Sequence, residues 1–116
     1  MSIIYHIAMA ADWKRALADG EYTMSTRGRT LAEQGFIHAS TARQVTGVAN
    51  SFYRGAPDLL VLVIDTDKLT APLAYDVVPG ADEPFPHIYG PLNPGAVIGT
   101  LPFEPGPDGS FTFERG

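Results

Sequence analysis

A chain of 116 residues with 45% apolar and 18% charged residues fits one globular domain, long enough to bury a core without crosslinks, and not a disordered segment. It has no cysteine, which excludes disulfides, zinc–thiolate sites, iron–sulfur clusters and thiol nucleophiles together and fits a reducing compartment. The net charge is −5 and the densest basic spots are only Lys14-Arg15 and Arg27-Gly28-Arg29, so an extended nucleic-acid duplex is disfavoured as a partner, while a single phosphate contact by Arg27 or Arg29 is allowed.

In chain order, Ile3 to Ala8 reads as a buried strand rich in β-branched residues. Asp12 is placed to cap a helix running to about Ala18, with Trp13, Ala16 and Leu17 on one apolar face and Gly20 just past its end. Glu21 to Thr30 reads as a polar loop carrying Arg27 and Arg29, Leu31 to Gln34 as one helical turn closed by Gly35, and Phe36 to Ala39 as a short strand. Thr41-Ala42-Arg43-Gln44 fits a capping box, and Val45, Val48, Ala49 and Phe52 continue as the stripe of a helix lying on a sheet, stopped by Gly55 and Pro57.

Leu59 to Asp65 is apolar at nearly every position and predicts a central strand covered on both faces. Asp67 to Leu69 makes a turn and Leu73 to Val78 another strand. Pro79 to Asn93 holds four prolines and reads as an ordered loop with a short extended piece around His87-Ile88-Tyr89. Pro94-Gly95 is a turn, Ala96 to Phe103 a strand, Pro105 to Gly109 a turn and Ser110 to Glu114 a last edge strand. Two early helices and five to seven strands predict a single α+β domain over 1–116 with no linker. The opening Met-Ser-Ile-Ile-Tyr-His lacks the pattern of a signal peptide. The longest apolar run, Leu59 to Ile64, is too short to span a bilayer, so a cytoplasmic protein with no membrane partner is expected.

The residues that can carry chemistry are few. His6, His38 and His87 each sit in an apolar extended setting. If their apolar neighbours face a core, each imidazole faces the other side of its sheet, and three on one face would make a polar cleft. Ser40 and Thr41 follow His38, and the start of a capped helix there would turn free amides towards an anion. Asn50 reads as a structural hydrogen-bonder or a solvated side chain. A carboxylate pair would need two of Asp65, Asp76, Asp82 and Glu83 to meet in space, with Asp65 and Glu83 the better acids, although solvated charge is the simpler role for each. There is no G-x-S-x-G elbow, no G-x-G-x-x-G and no Walker loop.

Four blocks carry a family resemblance: Ile4-Tyr5-His6-Ile7, Glu33 to Ser40, Val48 to Tyr53, and Phe85 to Leu92. In this order they resemble the family catalogued as domain of unknown function 952. A more distant likeness is to the ADP-ribosyltransferase superfamily, including RNA 2′-phosphotransferases. That likeness implies a split, largely antiparallel β-sheet with two main helices and a cleft for NAD or an ADP-ribosyl group. By it, His6 would hold a ribose hydroxyl, His38 would line the nicotinamide–ribose region and His87 would take the third position. Many transferases carry a glutamate there, and Glu83 is near in sequence but off the motif.

The leading expectation is therefore a small-molecule site for NAD, an ADP-ribose-like nucleotide or a related phosphate. His38 and His87 would be the catalytic residues of a transferase, and His6, Arg27, Arg29, Ser40 and Tyr89 would bind the ligand, with no metal expected. Two alternatives stand beside it. The same three histidines can be read as a metal site, and the proline-rich stretch from Pro79 to Pro94 can be read as a non-catalytic binding or regulatory module presenting Phe85 and Tyr89.

Overall fold

The computed structural model describes residues 2–113. Strand β1 (Ile3–Met9) runs directly into helix α1 (Ala10–Asp19). The helix starts two residues before the expected cap: Met9 occupies the N-cap with no side-chain bond, and Asp12 sits in the first turn, where its charge complements the helix dipole. Gly20 closes α1 at φ 87°, a left-handed conformation that a residue with a Cβ would adopt at a cost.

The stretch expected as a polar loop folds into a small hairpin, β2 (Met24–Thr26) and β3 (Arg29–Thr30), with Gly28 at its tip at φ 72°. Helix α2 (Leu31–Gln34) follows with a full capping box, in which Thr30 Oγ1 accepts from Glu33 N–H and the Glu33 carboxylate accepts from Thr30 N–H.

Strand β4 (Ile37–His38) leads to helix α3, which begins at Val45, later than the box at Thr41 predicts. Only half of that box forms: the Gln44 side chain accepts from Thr41 N–H at 3.0 Å. Val45 and Ala49 are buried as expected, but Phe52 is 67% exposed. Strand β5 (Leu59–Asp65), β6 (Leu73–Asp76), β7 (Phe85–Ile88) and β8 (Val97–Phe103) complete the fold. Ser110 to Phe113 is not a strand; it packs as an irregular segment, while Glu114 lies outside the described residues.

The strands form two three-stranded antiparallel sheets, ordered β1-β5-β8 and β4-β7-β6, beside the β2–β3 hairpin. Both faces of the first sheet are covered, as the near-continuous apolar run of β5 requires. Leu62 and Ile64 face a core shared with Ile37 and Ile88 of the second sheet. Val61 and Val63 face a second core with Val45 and Ala49 of α3 and with Phe103 and Phe111. Each such buried aliphatic side chain contributes roughly 1.5–3 kcal/mol. The proline-rich stretch supplies β7, the middle strand of the second sheet: Pro86 cannot donate, but its carbonyl accepts from Ala39 N–H at 3.0 Å.

Candidate functional site

Alternation decides where each histidine points. In β7, Pro86 and Ile88 are fully buried towards the core, so Phe85 and His87 take the opposite face of the sheet. In β4, Ile37 faces the core and His38 the opposite side. His38 and His87 are direct partners in the β4–β7 register, and their rings meet edge to face with centroids 5.2 Å apart. His6 belongs to the other sheet and faces the seam between the two, so only two of the three imidazoles share a sheet face.

His6 is buried, and both ring nitrogens are used. Nδ1 bonds the His38 carbonyl and Nε2 lies 2.8 Å from the Tyr22 hydroxyl. The carbonyl can only accept, so Nδ1 carries the proton and Tyr22 donates to Nε2. Burial pushes the His6 pKa down to about 4, against the opposing pull of the bond to the His38 carbonyl, and burial raises that of Tyr22. His6 thus fastens β4 through the residue that carries the second histidine.

His38 is half-buried, and its Nε2 faces the Gln34 side chain at 3.4 Å. Burial and then the neighbouring His87 lower its pKa. His87 is 3% exposed; Nδ1 lies 2.7 Å from Asp76 Oδ2, and Phe36 stacks on the ring at 4.0 Å and 17°. Its Nε2 is buried and has no hydrogen-bond partner among the described residues.

These side chains open onto a cavity of about 610 Å³ between α3, the β2–β3 hairpin and the second sheet. Its wall brings together His6, His38, His87, Arg27, Arg29 and Ser40, all expected at the site. Ser40 is held by its backbone, which exchanges hydrogen bonds of 2.7 and 2.8 Å with Tyr5. The free amides expected after His38 are therefore occupied, Ser40 N–H by Tyr5 and Thr41 N–H by Gln44. Tyr89 stands off the cavity wall; it is 41% exposed, and its hydroxyl donates to Asp76.

Tyr53 and Phe85 also line the cavity, together with Gln34, Phe52 and Val78, to which the sequence assigned no site role. The Tyr53 hydroxyl is a hub, 3.1 Å from both Thr26 Oγ1 and Arg27 N, and it ties the hairpin to α3. Of the acids weighed from the sequence, Asp76 reaches His87, while the two preferred ones lie elsewhere. Asp65 accepts from Asp67 N–H in the turn after β5, and Glu83 pairs with Arg43 at 3.5 Å on the surface.

The three-histidine metal reading does not fit this geometry, because both His6 nitrogens are engaged. Among the described residues no group of three His, Asp or Glu is arranged to hold an ion. No helix among them is long and apolar enough to cross a membrane.

The fold is similar to solved structures of protein CC0527 from Caulobacter crescentus. The crystal structure matches with a TM-score of 0.84 and 29% identity, covering 96% of this chain and 94% of that one. The solution structure matches with a TM-score of 0.77 and 30% identity, covering 95% and 91%. No curated protein matches the chain. The family model described as protein of unknown function (DUF952) matches residues 7–100, and the chain belongs to that family.

Proposed function

We propose that the cavity binds NAD, ADP-ribose or a related nucleotide phosphate. The observation that carries this reading is the composition of the wall. In a chain of net charge −5, the lining among the described residues holds Arg27 and Arg29 and no carboxylate, beside the aromatic rings of Phe52, Phe85 and Tyr53. Guanidinium groups recognise phosphate through paired N–H donors, and flat apolar rings suit a base or nicotinamide. The volume lies within the usual range for small-molecule and cofactor sites.

In this reading Arg27 and Arg29 hold the phosphates and Ser40 lies along the ligand. His6 acts through the position of His38, while His38 and His87 face the reacting end. Burial and then His87 lower the His38 pKa, which favours the neutral ring that can accept a proton. Two antiparallel sheets meeting at a cleft support the likeness to ADP-ribosyltransferases and RNA 2′-phosphotransferases. The glutamate common to many transferases has no counterpart in the wall, since Glu83 is paired with Arg43 on the surface. Nucleotide binding or phosphotransfer-like chemistry therefore fits better than ADP-ribosyl transfer assisted by a carboxylate.

A thermal-shift series with NAD, ADP-ribose, AMP and inorganic phosphate tests the reading. A ligand specific to the native state adds about 2.7 kcal/mol at a hundredfold excess over its Kd. A rise in Tm with ADP-ribose or NAD that is lost in His38→Ala supports it. Unchanged melting with all four removes it.

A second reading, a binding module without catalysis, draws on Tyr75, Val77 and Tyr89, which are 49%, 81% and 41% exposed around β6 and β7. It predicts a co-purifying protein whose capture is lost in Val77→Asp, with no nucleotide response.

A further inference from the structure

Asp76 ends β6 opposite Phe85, so His87 is its diagonal neighbour across the strand pair on the same sheet face. Its Oδ2 lies 2.7 Å from His87 Nδ1 and also accepts from the Tyr89 hydroxyl. Phe36 stacks on the His87 ring and His38 meets it edge-on, so the imidazole is clamped on a face, at an edge and at Nδ1. A carboxylate can only accept, which requires the proton of a neutral ring to sit on Nδ1. Nε2 is then an acceptor. It belongs to a side chain almost wholly buried in the cavity wall, and it has no partner among the described residues. A buried polar atom without a partner is costly, and at a cavity wall it marks where a ligand group belongs.

We propose that Asp76 is a positioning residue that fixes the His87 proton on Nδ1, so that Nε2 meets the ligand as an acceptor for a hydroxyl or N–H donor. This rests on the reading of the cavity as a nucleotide site and narrows it. The ligand carries an anionic group against Arg27 and Arg29 and a donor, such as a sugar hydroxyl, against His87.

Long-range proton–nitrogen correlation spectra of the isotope-labelled full chain at neutral pH test this. In the free wild-type protein, His87 shows protonated Nδ1 and bare Nε2. Asp76→Ala shifts the ring towards the Nε2–H tautomer, and Asp76→Glu restores part of the original state. ADP-ribose then moves the Nε2 resonance, while sulfate, an anion with no hydroxyl donor, leaves it in place. A dominant Nε2–H tautomer in the wild type overturns the proposal, as does an unchanged tautomer in Asp76→Ala. Equal displacement of Nε2 by sulfate and ADP-ribose overturns the donor assignment. If ADP-ribose does not bind at all, the nucleotide reading and the ligand half of this proposal fall together. The free-protein spectra still decide the role of Asp76.

Discussion

Tyr5 and Ser40 exchange backbone hydrogen bonds of 2.8 and 2.7 Å, a bridge between β1 and the segment after β4 that joins the two sheets at the cavity wall. The bridge depends on main-chain groups, so the substitution chosen decides what is lost. Ser40→Pro removes one donor and leaves the Tyr5 carbonyl without it, a loss of roughly 1–3 kcal/mol. Ser40→Ala keeps both bonds and is expected to change stability by less than about 1 kcal/mol, while weakening ADP-ribose binding if the hydroxyl touches the ligand. Urea denaturation and calorimetric binding of the two variants separate these roles.

His6 makes stability depend on pH in a defined window. Its folded pKa of about 4 lies below the ordinary 6.5, so the unfolded chain takes up a proton that the fold refuses. The contribution is fully present above 6.5 and is lost as pH falls towards 4. Its upper limit is roughly 3 kcal/mol. Denaturant melts across this range are expected to show a steeper decline for the wild type than for His6→Phe. Equal slopes would mean that His6 is not the titrating group.

Asn50 holds the C-terminal segment. Its side chain accepts from Phe111 N–H at 2.7 Å and donates to the Phe111 carbonyl at 3.1 Å, replacing the edge strand expected there with a side-chain clamp on α3. Asn50→Ala is expected to cost about 2 kcal/mol, from two bonds of about 1 kcal/mol each. Because Asn50 is not among the cavity-lining residues, ADP-ribose affinity measured well below the melting temperature should stay within about twofold of wild type.

Much of the scaffold was legible because it is local. The apolar runs Ile3–Ala8 and Leu59–Asp65 become β1 and β5, and Gly20 and Gly35 close their helices in left-handed conformations. The box at Thr30 and Glu33 was equally readable as the start of α2, although the reading of that stretch rested on its polarity. Prolines hid only the start of β7: the extended piece expected around His87-Ile88-Tyr89 begins at Phe85, because at Pro86 the strand needs only the acceptor that proline keeps. The site itself depends on register. Nothing near His38 in sequence says that it faces His87, and nothing near Asp76 says that it lies diagonal to that ring. His6 matched the other histidines in local context but joined a different sheet, where its nitrogens serve the seam.

Isothermal titration of ADP-ribose into the wild type, Arg27→Ala and Arg29→Ala decides whether the cationic, aromatic cavity binds a nucleotide phosphate. Neither arginine is in an ion pair among the described residues, and Arg27 makes only a 3.5 Å side-chain bond to the Phe52 carbonyl, so removing either guanidinium leaves no buried acid behind. A charge-assisted hydrogen bond contributes about 1.5–3 kcal/mol, so each variant should bind at least about tenfold more weakly than the wild type. Saturable wild-type binding with that loss is the predicted result; no heat of binding in the wild type, or equal affinity in all three proteins, would contradict it.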